Sequence, residues 1–336
     1  VLSKRSERQV LPKGFSALWE QINAFTYLKE LKIVHKDLMP PDSPTEAALI
    51  PIKHISILQH IEHLIIESNF SSRRMLVNFG ELGQAISHMS RLSYLKIHSY
   101  VTTKALADLF KSDSVSLTEI KKLDFHFEAF TELRVGPEWI EWIGMKQKIN
   151  QIKFILGTKQ DQQSITTLSA DSVRNISTGI SKIKGLKYLK LCLGILSYVS
   201  SHSKAISKSK ESFVEFKNLN DFRILSHMLE PLKNLRKLIL VAGVSYFTDD
   251  ELMSILSVLK LNTLLTSFAL GGNFKQVSKN FQYYFLRFLA DEAHRFKNIV
   301  FYPTEYKISY QERITQKILS LFGKEAFTNN IQLLEL

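Results

Sequence analysis

The sequence predicts an α/β fold in which a parallel sheet is covered on one side by helices. Three observations carry this prediction. A short apolar pattern typical of a strand recurs ten times, the segments between its copies have the apolar spacing of helices, and 45% hydrophobic residues in a chain of 336 can form a large core. Alternating strands and helices favour a parallel sheet, because a parallel connection needs a crossover.

The strand pattern is a hexapeptide with apolar residues at its first, fourth and sixth positions. Its copies begin 28 to 49 residues apart. One copy is weak evidence at this composition, but ten copies at a nearly regular interval indicate a structural repeat. The copies are LKELKI at Leu28, IEHLII at Ile61, LSYLKI at Leu92, IKKLDF at Ile120, INQIKF at Ile149, LKYLKL at Leu186, LRKLIL at Leu235, LTSFAL at Leu265, FKNIVF at Phe296 and IQLLEL at Ile331.

Side chains alternate across a strand, so the fourth and sixth residues of each hexapeptide are expected to face the helices and form the core. The third and fifth residues then lie on the opposite side of the sheet, which we call the open face. Core positions predicted in this way include Leu64, Ile66, Leu189, Leu191, Phe268 and Leu270.

The segments between the hexapeptides predict helices. In FTDDELMSILSVLK, Thr248 is suited to cap the first turn, and Glu251 three residues later completes a capping box. Leu252, Ile255 and Leu259 then fall on one helical face. The segments TTKALADLF and FQYYFLRFLADEAHRF show the same apolar spacing, so strands and helices are expected to alternate along the chain.

The hexapeptides resemble the start of the leucine-rich repeat, L-x-x-L-x-L-x-x-N/C-x-L, and the long interval is most similar to the ribonuclease-inhibitor-like class. The resemblance extends from about Leu28 to Leu336. It implies a solenoid with a curved parallel sheet on its concave face, helices on its convex face, and binding of partners on the concave sheet. Asparagine occupies the ninth position at Asn69 and Asn273 alone, so the repeats are divergent.

The same pattern suggests how the chain is organised. We expect residues 1–27 to form an N-terminal flank or cap and residues 28–336 to form one solenoid of about ten repeats. A Ser- and Lys-rich insertion occupies residues 197–212, and its low apolar content predicts a mobile, tolerated loop, with a phosphorylation or polyanion-contact role as the alternative. Because the chain ends on a hexapeptide without a polar capping repeat, we expect either a fragment or a cover on that edge.

The charge and the cysteine content limit the expected partners and the expected compartment of the protein. The net charge of +12 favours anionic partners without choosing between nucleic acid, acidic protein and membrane surface. The sequence has no apolar run long enough to span a membrane, and its opening VLSKRSERQV lacks the apolar core of a signal peptide. The single Cys192 fits a reducing compartment, so we expect an intracellular protein of the cytoplasm or nucleus.

Catalytic signatures are missing from the sequence. The common phosphate-binding, zinc-protease and nucleophile motifs do not occur, which argues against an enzyme. Asp124, His126 and Glu128 alternate along one strand and could bind a metal, but open-face positions are expected to be polar and solvated without one. We therefore expect no cofactor, no metal and no small-molecule substrate. Three histidines, His35, His63 and His98, fall on open-face positions and could form a cluster, but separate solvated side chains are the favoured interpretation.

The predicted open face changes in character near residue 235. Before this point it is basic and carries two tyrosines, and after it the face is apolar, with side chains expected to point outward. Exposed apolar area on a parallel sheet is expected to be covered by a partner or by the chain itself. The tenth hexapeptide adds Leu333 and Glu335 to the face. The basic part comprises Lys32, Lys96, Lys122, Lys153 and Lys190 with Tyr94 and Tyr188, and the apolar part comprises Ile239, Val241, Ala269 and Val300.

Two functional hypotheses follow from these residues. The first is a non-enzymatic interaction module that binds a protein partner on the concave sheet within a larger assembly. The alternative is a ribonucleoprotein subunit, in which the five lysines contact phosphates of RNA or DNA and a tyrosine stacks on a base. Added salt should weaken nucleic-acid binding steeply and an apolar protein contact little.

Overall fold

The computed structural model describes residues 27–35, 59–68, 78–111, 119–129, 133–156, 168–193, 223–246, 248–273, 278–303 and 331–333, together with Phe25. The expected N-terminal flank lies almost entirely outside the described residues, and so does the insertion at residues 197–212. Both remain predictions. None of the described helices is long and apolar enough to cross a membrane.

The described strands form one parallel sheet. Each strand pairs with the next one in the chain, so the order in the sheet is the order in the sequence. The α/β class and the parallel pairing are as the hexapeptides predict. The strands are β1 (Glu30–His35), β2 (His63–Ser68), β3 (Tyr94–Tyr100), β4 (Lys122–Glu128), β5 (Gln151–Leu156), β6 (Tyr188–Leu193), β7 (Lys237–Tyr246), β8 (Ser267–Asn273), β9 (Asn298–Pro303) and β10 (Ile331–Leu333).

Helices connect most of the strands. The capping box predicted for the segment before β8 is confirmed, because the Thr248 hydroxyl accepts from the Glu251 backbone N–H and the Glu251 carboxylate accepts from the Thr248 N–H. A 3₁₀ turn at Ala293–Arg295 precedes β9. The helices are α1 (Phe79–Ser87), α2 (Thr103–Lys111), α3 (Glu138–Gly144), α4 (Ala170–Ser181), α5 (Arg223–Leu229), α6 (Asp249–Leu261) and α7 (Lys279–Glu292).

Successive strands are also linked by a ladder of backbone hydrogen bonds at the second position of the hexapeptide. The Glu62 carbonyl accepts from the Ser93 N–H at 2.8 Å, and the Ser93 carbonyl accepts from the Lys121 N–H at 2.9 Å. The same bond continues from Lys121 to Asn150 and onward to the Lys297 N–H. Each repeat is therefore fixed to its neighbour before the strand begins, which satisfies backbone groups at the start of the sheet.

The core lies between the helices and one face of the sheet. The fourth and sixth positions of the hexapeptides supply its sheet side, and the apolar faces of all seven described helices supply the other side. The predicted burial is confirmed, because six of these positions are at most 1% exposed: Leu64, Ile66, Leu189, Leu191, Phe268 and Leu270.

Large aromatic side chains fill the middle of the core. The Trp139 ring lies 5.1 Å from the Phe110 ring and 5.3 Å from the Phe154 ring, in edge-to-face contacts. Helix α4 approaches this cluster through Gly179, where a Cβ would lie 2.4 Å from the Trp139 indole nitrogen. Glycine is needed at this position because a side chain would collide with the indole.

The register of β10 differs from the one the sequence predicts. The hexapeptide IQLLEL places Leu333 on the open face, but the structure pairs Ile331 with Ile299 and Leu333 with Phe301. Gln332 is therefore paired with Val300, where the hexapeptide predicts Glu335. The predicted register of this hexapeptide is wrong by three residues, and Glu335 lies outside the described residues.

Candidate binding face

The open face is the side of the sheet opposite the single core. Along β3 the burial alternates at every residue, with Tyr94, Lys96 and His98 half-buried and their neighbours Leu95 and Ile97 buried in the core. The strand register sets these side chains in rows across the sheet. One row runs Lys32, Ile65, Lys96, Asp124, Lys153, Lys190, Ile239, Ala269 and Val300.

Glu67 on β2 binds two of the predicted phosphate-contacting lysines. Its carboxylate oxygens lie 3.0 Å from Lys32 Nζ and 2.5 Å from Lys96 Nζ. Burial alone would raise the pKa of Glu67, but the hydrogen bonds from Lys96 and Lys32 outweigh burial and lower it. The carboxylate is therefore ionised at neutral pH and neutralises part of the charge expected for this surface.

Asp124 on β4 engages a third predicted lysine. Its carboxylate accepts from Lys153 Nζ at 2.9 Å, and it also contacts the Tyr94 hydroxyl. Burial first, and then the nearby Asp124 charge, raise the pKa of Tyr94. Asp124 is 8% exposed, so the expectation of a solvated carboxylate at this position is wrong. Its burial is compensated by the lysine beside it.

The two remaining predicted lysines are not neutralised in this way. Lys122 is exposed and Lys190 is half-buried, and within the part of the chain that the structure describes neither lies within ion-pair distance of a carboxylate. Lys190 lies in register between Lys153 and Ile239, at the boundary between the charged and the apolar parts of the face.

Both predicted stacking tyrosines already have ring contacts. The Tyr94 ring meets the His63 ring edge-on at a centroid distance of 5.8 Å. Lys237 Nζ lies 5.6 Å from the centroid of the Tyr188 ring. A base stacking on Tyr188 on that side would have to displace the lysine.

The apolar part of the open face is less exposed than the sequence predicts. Ile239 and Val300 are half-buried, whereas Val241 is 2% exposed and Ala269 is 4% exposed. Val241 lies in register between Cys192 and Gly271. The register places all four residues on the open face as predicted, but the expectation that their side chains are exposed is wrong for Val241 and Ala269.

Two histidines come together on the charged part of the face. His98 and His126 are in register on adjacent strands, and their rings stack with centroids 4.2 Å apart and planes 14° from parallel. Burial first, and then the neighbouring His126 and Lys96, lower the pKa of His98 to about 3, so this ring is neutral at neutral pH. Glu128, two residues after His126, is 7% exposed.

The sequence predicts that His35, His63 and His98 are separate and solvated, and this prediction is wrong for His98, whose ring stacks on His126. The sequence contained a signal for this pair. His98 and His126 each directly follow a hexapeptide, and they are 28 residues apart, as are the hexapeptide starts Leu92 and Ile120. His63 differs, with Nδ1 3.3 Å from the Glu30 carboxylate. The side chain of His35 lies outside the described residues.

Comparison with known proteins does not identify a family for this chain. Neither a scan against models of protein families nor a search of curated proteins finds a match to this chain. The resemblance to leucine-rich repeats therefore rests on the recurring hexapeptides, together with the sequential parallel strands and the helices between them.

Proposed function

We propose that this chain is a non-enzymatic leucine-rich-repeat module that binds a protein partner on the concave sheet, as a subunit of a larger assembly. The observation that carries the proposal is the open face itself. Parallel sheets are ordinarily covered on both faces, whereas all the described helices contribute to the core on one face. A partner protein is the natural cover for the other face.

The apolar end of the open face supplies the anchoring surface. Ile239 and Val300 lie in one row with Ala269 between them, so the two larger side chains flank a shallow position, about 10 Å apart by strand spacing. Val241 adds a buried apolar floor beside them. Apolar positions of this kind at the centre of a contact, with charges around it, are typical of protein interfaces.

The charged end favours a protein partner over a polyanion. Glu67 and Asp124 place two carboxylates among Lys32, Lys96 and Lys153, so the surface presents both signs in alternation. Such a surface matches a partner with its own mixed charges and repels a uniform row of phosphates at the carboxylates. The ribonucleoprotein alternative retains support from Lys122 and Lys190, and from the net charge of +12.

The test replaces the apolar anchors with charges. In an Ile239→Asp/Val300→Asp double variant, a desolvated contact would have to bury two carboxylates, which costs several kcal/mol and would abolish a micromolar interaction. Capture from native extract, with and without nuclease, should lose the specific protein partners of the wild type. The matched control is Leu261→Asp on α6, an apolar residue that is 65% exposed on the helical side, and it should keep them.

Each result of this experiment has a distinct meaning. If the double variant folds and still captures every native partner, the open face is not the binding surface. If it unfolds, the face is internal and covered by the chain itself, and the proposal fails in that way. If capture disappears with nuclease and the Lys122→Ala/Lys190→Ala variant reproduces that loss, the ribonucleoprotein alternative replaces the proposal, with a steep loss of affinity as salt is added.

A further inference from the structure

His98, His126 and Glu128 form a compact group of nitrogen and oxygen donors on the open face. One ligand atom from each residue can be chosen so that all three lie within 4.8 Å of one another. His98 and His126 occupy the same row of β3 and β4, and Glu128 follows His126 by two residues on the same side of β4. The sheet register therefore holds three donors from two strands at one place.

We propose that His98, His126 and Glu128 bind one Zn²⁺ ion on the open face. Imidazole nitrogen and carboxylate oxygen are the ligands that zinc takes in proteins, usually in tetrahedral geometry. Three protein donors leave the fourth position to water. Water and the ion reach the site from the open face, because both histidines are half-buried rather than enclosed.

The donor chemistry selects the kind of ion. Two imidazoles with a single carboxylate suit zinc and its first-row neighbours, whereas magnesium and calcium take mainly oxygen ligands. Two nearby carboxylates are engaged elsewhere, since Glu67 binds Lys32 and Lys96 and Asp124 binds Lys153. The site therefore has the composition of a His₂Glu zinc centre.

Binding requires a small rearrangement of the two rings. Ligand atoms about 2.1 Å from a tetrahedral zinc ion are about 3.4 Å apart, so the three donors must move together from their separation of up to 4.8 Å. The rings are nearly parallel, and their nitrogen lone pairs must turn toward a common point. Rotation about the side-chain torsions supplies this movement, and the backbone register stays as it is.

The first experiment measures zinc affinity by isothermal titration of tag-free, metal-stripped full-length protein with ZnCl₂. We expect one equivalent to bind and the melting temperature to rise with zinc, since an ion that binds the folded state stabilises it. His126→Asn and Glu128→Gln should each weaken zinc binding by about 100-fold or more. Loss of a hydrogen-bond partner outside the ligand shell already costs about 10- to 100-fold, and these variants remove a ligand itself. The matched control is His63→Asn, an open-face histidine paired with Glu30 outside the cluster, which should bind zinc as the wild type does.

A second measurement needs no variant and therefore does not depend on the folding of a mutant. Diethyl pyrocarbonate modifies accessible imidazoles, and peptide mass spectrometry reports each histidine separately. Zinc should protect His98 and His126 while His63 and His88 react as before. The proposal is overturned if no saturable binding is seen at millimolar zinc, if His126→Asn and Glu128→Gln bind as tightly as the wild type, or if zinc leaves the reactivity of His98 and His126 unchanged.

Discussion

The two faces of the same ten strands differ in how uniform they are. On the helix-covered face, the described fourth and sixth positions from β2 to β8 are apolar and at most 1% exposed. On the open face, the row that begins at Lys32 contains ion-paired residues in β1, β3, β4 and β5, and it ends at Ile239, Ala269 and Val300 in β7 to β9. Packing against the described helices constrains one face, and none of these helices packs on the other.

The first prediction compares neighbouring residues on opposite faces. Leu238 is fully buried in the core and Ile239 is half-buried on the open face. Leu238→Ala should lower the free energy of unfolding by about 2–5 kcal/mol, because it leaves a cavity between the sheet and the helices. Ile239→Ala should cost well under half as much in the isolated chain. Urea unfolding of both variants measures the difference.

Equal losses for the two variants would remove the distinction between the faces. That result would mean that Ile239 is packed as tightly as the core and is not available to a partner. No loss for Leu238→Ala would contradict the register of β7.

The second prediction concerns a charge on the core side. Lys146 follows α3, is fully buried, and places its Nζ 4.5 Å from the centroid of the Trp142 ring. Burial lowers its pKa from 10.5 to about 8. Lys146→Met keeps the length of the side chain and removes the charge, so the free energy of unfolding at pH 7 should rise by up to about 3 kcal/mol.

The pH dependence checks the cause of this gain. Since the folded pKa of Lys146 lies below the unfolded value, the unfolded chain binds more protons between pH 8 and pH 10.5. Wild-type stability from this group therefore rises with pH across that window, and the advantage of Lys146→Met should shrink. Thermal melts at pH 7 and pH 10 measure both effects. The control is Lys148→Met, two residues away and 55% exposed, which should change neither melt appreciably. If Lys146→Met is instead less stable than the wild type, the buried ammonium stabilises the fold and the prediction is wrong.

The core face could be predicted from the sequence because a period of two, repeated in ten hexapeptides, leaves one consistent way to bury apolar residues. The prediction failed at β10, where IQLLEL also contains apolar residues at alternative positions and the structure uses a register three residues away. A short strand with leucines at several positions does not specify its own face.

The sequence could predict which residues lie on the open face, but it could predict their contacts and burial only in part. The register placed Lys96, Lys153 and Asp124 correctly, but their ion pairs join residues on neighbouring strands about 29 positions apart, and no local pattern encodes them. Val241 likewise lies beside Cys192 and Gly271, which come from the adjacent strands. Such contacts become visible only when the rows across the sheet are compared.

The smallest expected effect tests whether the charged part of the open face is held together by its own ion pairs. The side chains of Asp124 and Lys153 are 12% and 33% exposed and 2.9 Å apart. Lys153→Met leaves a buried carboxylate without its cation, and Asp124→Asn leaves the lysine without its anion. Each single variant should therefore lower the free energy of unfolding by more than the net contribution of the intact ion pair. The double variant should recover part of that loss, with a coupling energy of about 1 kcal/mol. The control cycle uses Lys29 and Glu62, which immediately precede β1 and β2, are 75% and 39% exposed, and should show no measurable coupling. Equal coupling in the two cycles would mean that burial adds nothing to the pair on the sheet. The lysines would then be as available to an anionic ligand as their number in the sequence suggests, and the balance between a protein and a nucleic-acid partner would move toward the latter.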